Sequence, residues 1–128
     1  MKKIILFVLL STLMFSKYRA EKNKVYYNNI LIKKVNVRSF EILSDYYARD
    51  KNTVYYQGDI LENSDVKTFK ILDEFYAKDK YYVYYGIDKV HGADSMTFKA
   101  FGSGYGKDKS IGFQYGQMIM PPYPLDDK

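Results

Sequence analysis

Beyond residue 20, the apolar positions fall in short clusters with strand character and form no helical stripe. Val-Tyr-Tyr occurs at 25–27, 54–56 and 83–85, and β-branched and aromatic residues suit a pleated, half-buried surface. Turn-forming residues follow each cluster: Asn28-Asn29, Gln57-Gly58-Asp59 and Gly86-Ile87-Asp88. These residue types tolerate left-handed backbone or bond their own main chain, as a tight reversal requires. A second short strand is expected next, at 30–33, 60–62 and 89–91, so each cluster predicts a β-hairpin. Asn36, Asp65 and Asp94 then offer a capping oxygen, with Ser39, Thr68 and Thr97 three residues later; this pattern predicts a short helical turn. A long helix is not expected, because Gly102, Gly104 and Gly106 stand where it would continue in the third copy, and Gly costs about 1 kcal/mol against Ala in a helix interior. The Tyr-Ala-Arg and Tyr-Ala-Lys stretches at 47–49 and 76–78 read as strands that turn at Asp-Lys into the next Val-Tyr-Tyr.

These elements recur with a fixed period. Residues 21–49 align without gaps on 50–78 and then on 79–107, a step of 29, and 108–128 open as a partial fourth copy before a Pro-rich tail. The expected organisation is therefore a leader at 1–20, three repeats, and a partial repeat with a tail. The expected fold is mainly β, a linear array of tandem hairpin repeats with one short helical turn each, in which single units cannot bury a core alone. Comparing copies within the chain shows which positions the fold needs. Val25, Val54 and Val83 match, and Phe40, Phe69 and Phe98 never vary, as core positions would. Tyr26, Tyr55 and Tyr84 give way to Phe113 in the fourth copy, which predicts a position that needs ring area more than a hydrogen bond. Alternation along a strand puts aromatic rings on both faces. In the fourth copy Gly112 and Gln114 replace Val and Tyr, and Pro121, Pro122 and Pro124 are expected to stop strand pairing at the end of the array.

The first twenty residues have a different character. Lys2 and Lys3 precede an apolar run at 4–10 that continues weakly to Phe15, the layout of a signal peptide. The run ends after about a dozen residues, short of the roughly 20 that a spanning helix needs. Cleavage after Ser16 and cleavage after Ala20 both fit. No Cys follows, so a lipid anchor is excluded and disulfides, thiolate chemistry and Cys-type metal sites go with it. Four of the twenty basic residues, Lys2, Lys3, Lys17 and Arg19, precede Glu21, whereas all fifteen acids follow Ala20. Sixteen bases against fifteen acids remain, and the apparent basicity gives no reason to expect nucleic acid.

Candidate chemistry is sparse. His91 is the single His, which rules out multi-His zinc sites and leaves a triad only one place to stand. The carboxylates recur with the period, as in Glu21, Asp50, Asp79 and Asp108, and so read as turn and cap formers; a hydrolase pair would be a single asymmetric site. The Asp-rich turns lack the calcium loop pattern. No catalytic residue, metal or cofactor is expected. The one candidate ligand surface is a tyrosine ladder, Tyr26, Tyr27, Tyr55, Tyr56, Tyr84 and Tyr85, which as a stacking platform would hold sugars. A chain with fifteen Tyr, eight Phe and no Trp also has to build its core from such rings.

With DKNTVYYQG at 50–58, DVKTFKILDEFYAKDK at 65–80 and HGADSMTFKAF at 91–101 on the page, the chain resembles the DKNYY family over roughly 21–115. The resemblance implies an exported bacterial repeat protein of the fusobacterial type, and it carries over no catalytic or binding residues. The expected function is a non-enzymatic protein-interaction or scaffold module of the bacterial envelope, the alternative being a glycan or peptidoglycan binder that uses tyrosine stacking. Expected partners are an envelope protein or a cell-wall glycan, with no nucleic acid, and the membrane only through the leader before its removal. Expected localisation is periplasmic, outer-envelope associated or secreted.

Overall fold

A computed structural model describes residues 17–119. Residues 1–16 of the expected leader, and the tail at 120–128 with Pro121, Pro122 and Pro124, lie outside the described residues. Strands dominate what is described, arranged as four small antiparallel meanders in chain order. The first contains β1 (Tyr18–Glu21), β2 (Lys24–Tyr27) and β3 (Ile30–Leu31); the second β4 (Glu41–Ile42), β5 (Tyr47–Arg49), β6 (Val54–Tyr56) and β7 (Asp59–Ile60). The third contains β8 (Lys70–Ile71), β9 (Tyr76–Lys78), β10 (Val83–Tyr85) and β11 (Asp88–Lys89); the fourth β12 (Lys99–Gly102), β13 (Tyr105–Lys107), β14 (Gly112–Gln114) and β15 (Gln117–Ile119). The chain divides into two compact units, Met1–Val66 and Lys67–Lys128, with two sheets in each. This is the mainly β hairpin-repeat fold expected from the 29-residue pattern.

Several details depart from the expectation. Each sheet straddles the end of one period and the start of the next: Tyr47–Arg49 pairs with Val54–Tyr56, and Tyr76–Lys78 with Val83–Tyr85. A strand that the sequence pattern did not suggest, β4, β8 or β12, lies on the far side of the Tyr-Ala-Lys strand. The strands after the turns are only two residues long in the first three sheets. One more ladder bond follows them: the N–H groups of Ile32, Leu61 and Val90 reach the carbonyls of Val25, Val54 and Val83, each at 2.8 Å. Those three apolar side chains are buried. The fourth copy, despite Gly112 and Gln114, forms a complete hairpin. The expected leader at 1–20 overlaps β1, whose Tyr18 and Ala20 are buried.

Turn chemistry explains the meanders. Asn28-Asn29, Gln57-Gly58 and Tyr115-Gly116 all have positive φ at both central residues, the conformation whose twist matches flanking antiparallel strands. Gly58 (φ +84°) also lies so close to a neighbouring ring that an added Cβ would sit 2.9 Å from the Cβ of Tyr27. The short helical turn expected in each repeat forms as a 3-10 turn in the first, Val37–Ser39, with the side chain of Asn36 accepting the Ser39 N–H at 3.0 Å, whereas the segments after Asp65 and Asp94 are non-helical turns.

Each unit has its own aromatic core. Tyr18, Val25, Tyr27, Ile32, Phe40, Ala48 and Tyr55 cluster in the first, and Tyr76, Val83, Val90, Phe98 and Phe113 in the second. Phe40, Phe69 and Phe98 are buried, as their invariance predicted. In the first unit the buried Tyr18 hydroxyl donates to the Tyr46 carbonyl (2.8 Å) and accepts from the Gly58 N–H (3.0 Å). Tyr76 does the same in the second, toward the Gly104 carbonyl and the Gly116 N–H, both at 3.0 Å. These hydroxyls tie the two sheets of each unit together.

Candidate functional site

The repeated Asp of the Asp-Lys turn is buried, and its oxygens are occupied by the protein's own donors. In Asp50, Oδ1 accepts the N–H groups of Asn52 and Thr53, and Oδ2 accepts the Asn36 N–H, all at 2.8 Å; Oδ2 also accepts the Tyr55 hydroxyl at 2.9 Å. Asp79 holds Tyr81 and Tyr82 N–H and the Tyr84 hydroxyl in the same way, each at 2.8 Å. Asp108 holds Ser110, Ile111 and Asp94 N–H. The hydroxyls of Ser39, Thr68 and Thr97 in turn accept the N–H of Lys51, Lys80 and Lys109. Such carboxylates complete a turn and have no oxygen aimed at a ligand. The comparison of Tyr with Phe113 is corrected accordingly: at 55 and 84 the hydroxyl makes a buried, charge-assisted bond, and the position uses both ring and hydroxyl. Among the described residues, no group of three His, Asp or Glu is placed to hold a metal ion. His91 is exposed just after β11.

The six ladder tyrosines do not share one open face. Tyr55 and Tyr84 are buried to within 1% of complete burial, and Tyr27 is also buried. Tyr26, Tyr56 and Tyr85 are half-buried: the Arg19 guanidinium lies 4.3 Å from the centre of the Tyr26 ring, Tyr56 packs against Tyr47, and Tyr85 against Tyr76. Among the described residues, the tyrosines that do face solvent are others, Tyr81, Tyr82 and Tyr115. Tyr81 and Tyr82 take the places of Asn52 and Thr53 in the preceding copy. The sequence signal that marks them is a departure from the repeat, and a search for matching positions passes over it.

Departure from the repeat also marks an open cleft of about 800 Å³ in the second unit. Lys70, Lys78, Lys99, Lys107 and Lys109 line it, and Asp108 contributes the one carboxylate among the described residues. Its apolar part is formed by Leu72, Phe98, Ala100 and Phe101, with Met96 at the rim. Lys70 faces Lys78 directly across the β8–β9 pair, and Lys99 faces Lys107 across β12–β13. The equivalent pair in the first unit is Glu41 and Arg49, joined by an ion pair at 3.0 Å. The Lys78 ammonium donates to the carbonyls of Ser95 (2.8 Å) and Phe98 (3.2 Å). Its burial, with the charge of Lys70 adding to the effect, holds its pKa below the usual lysine value.

A family model described as the DKNYY family matches residues 2–86, more than half of the chain. The chain belongs to the DKNYY family. No curated protein and no solved structure matches it. The family signature has a physical meaning here: Asp and the first Tyr of DKNxVYY are the acceptor and donor of one buried bond at 50/55 and 79/84. The matched span of the DKNYY model ends before Met96, Lys99, Lys107 and Lys109, so much of the cleft lies outside it.

Proposed function

We propose that this DKNYY protein is exported and acts without enzymatic activity as a protein-interaction or scaffold module of the bacterial envelope. The leader pattern in the first twenty residues supports export. The observation that carries the interaction reading is the contrast between a constant interior and a changing surface. Asp50 and Asp79 make the same turn bonds, while the exposed Glu41 opposite Arg49 becomes Lys70 opposite Lys78 and then Lys99 opposite Lys107. A repeat that keeps its supports and varies its exterior suits recognition. The alternative, a glycan or peptidoglycan binder, draws on the exposed Tyr81, Tyr82 and Tyr115. A flat stacking platform is not formed by Tyr81 and Tyr82, whose rings are inclined at 52°.

Two measurements in the native host test this reading. Cell fractionation should find the protein outside the cytoplasm, and a version lacking residues 2–16 should stay inside. A photo-crosslinking residue at Tyr81 or Met96 should capture a protein, while purified peptidoglycan should not sediment the purified chain. Cytoplasmic retention of the intact protein, or sedimentation with peptidoglycan and no protein crosslink, would overturn it.

A further inference from the structure

Three copies of one cross-strand position give the lysine cleft its meaning. The repeat has a self-neutralising solution there, the Glu41–Arg49 ion pair, yet the second unit places Lys opposite Lys twice, at 70/78 and 99/107. Like charges directly opposite one another on a sheet repel. Both pairs border the same cleft, and Lys109 joins them. The only carboxylate among the described residues of its lining, Asp108, is buried and bonded to three N–H groups. Asp94 is close enough to Lys78 and Lys109 to interact with both, and among the described residues that one charge does not balance the ammonium groups of Lys70, Lys78, Lys99 and Lys109. Lys70, Lys99 and Lys109 are exposed, so their charge is available to a ligand.

Two further features define the ligand. Met96 (86% exposed) and Phe101 (44%) stand among the lysines, so apolar contact is offered beside positive charge. Lys70–Ile71 and Lys99–Gly102 are the end strands of their sheets and both contribute to the lining. An end strand pairs readily with an added extended chain. We propose that this cleft binds an extended acidic segment of a partner protein, its carboxylates meeting Lys70, Lys99 and Lys109 and its apolar side chains meeting Met96 and Phe101. A sulfated or phosphorylated polymer satisfies the charges alone; a peptide satisfies charge, apolar contact and strand edge together. The proposal rests on the protein-interaction reading and gives that partner its chemistry.

The test is fluorescence anisotropy on the purified protein with a labelled synthetic peptide of alternating Glu and Leu. Comparison peptides carry Lys for Glu or Ser for Leu, and dextran sulfate serves as an apolar-free polyanion. The Glu/Leu peptide should bind, more weakly as salt is raised, and both comparison peptides should bind at least about tenfold less tightly. Lys70→Glu with Lys99→Glu should weaken binding by about tenfold or more, and so should Lys70→Ser with Lys99→Ser, which places no new charge on the strands. Lys24→Glu with Lys51→Glu, on exposed residues of the first unit, should leave it unchanged. Equal binding of the Ser-for-Leu peptide together with displacement by dextran sulfate overturns the peptide assignment. So does indifference to either lysine double variant with an unchanged circular dichroism spectrum. A partner still captured by crosslinking after such a failure leaves the interaction reading standing and removes only the cleft; no captured protein removes the reading itself.

Discussion

Four donors converge on the Asp50 carboxylate, and one of them is the Tyr55 hydroxyl. A hydrogen bond to a buried charge contributes about 1.5–3 kcal/mol, so Tyr55→Phe should cost about 2 kcal/mol in chemical denaturation. Tyr27 has the same ring in a buried setting, but its hydroxyl has no hydrogen-bond partner among the described residues. Removing an unpaired buried hydroxyl relieves a desolvation cost, so Tyr27→Phe should be neutral or raise stability. Equal losses from the two substitutions would show that ring packing alone sets their worth. Phe113→Tyr offers the reciprocal experiment: it presents a hydroxyl to Asp108 five residues earlier, as in the two preceding copies, and should add about 1 kcal/mol. Tyrosine also sets the alkaline limit. Burial pushes the Tyr76 phenol up to about 12, against about 10 in an unfolded chain. A group with a raised folded pKa stabilises fully below its unfolded value and loses that contribution as pH rises through the folded one. Stability should therefore be flat below about pH 10 and fall between about 10 and 12, with phenolate absorbance rising alongside the unfolding signal. Phenolate absorbance complete at the unfolded midpoint, with the fold intact, would contradict burial of these rings.

At the scale of the hairpin, Gly58 and Gly102 differ in a way that separates two effects. Both have left-handed backbone, φ +84° and +87°, but an added Cβ at Gly58 meets Tyr27, whereas at Gly102 nothing among the described residues lies within 4 Å. Gly102→Ala should cost only the backbone strain, about 1 kcal/mol. Gly58→Ala should cost more, about 2–4 kcal/mol, since a packed core side chain must also move; similar losses in thermal melts would count against the close approach. The hairpins themselves were legible because Val-Tyr-Tyr and its turn residues carry local information. The outer strands β4, β8 and β12 were not, since two paired residues such as Glu41–Ile42 give no alternation to read. Nor was the bond from Tyr55 to Asp50, which depends on burying a carboxylate that looks like an ordinary turn residue. The first sheet shows how one methylene alters an element. Glu21 in place of Asp pairs with Lys24 around a turn whose two residues, Lys22 and Asn23, both have positive φ. In the next copy Asp50 bonds back to two N–H groups and its N–H reaches the Thr53 carbonyl. The cleft was hidden for the opposite reason, because it is defined by positions where the copies disagree.

For the molecule as a whole, β1 bears on where an exported chain can be cut. Ser16 and Ala20 are the two alternative ends of the leader, and the two cuts leave different proteins. Tyr18 is fully buried, packs edge-on against Tyr27 with ring centres 4.6 Å apart, and holds the Tyr46 carbonyl and the Gly58 N–H. Cutting after Ala20 removes that ring, the buried Ala20 side chain and the strand that pairs with β2. Loss of one large buried aromatic side chain alone costs about 3–5 kcal/mol, a large part of the 5–15 kcal/mol that stabilises a typical domain. The first unit should then be largely unfolded. A cut after Ser16 keeps β1 and also Lys17 and Arg19, so the processed chain has eighteen bases against fifteen acids. Intact-mass measurement of the exported protein should accordingly find Lys17 at its N-terminus. A purified chain beginning at Lys17 should melt cooperatively in both units, and one beginning at Glu21 should lose the transition of the first. A mature chain starting at Glu21 that melts like the longer one would show that Tyr18 is dispensable and that the leader extends into the sheet.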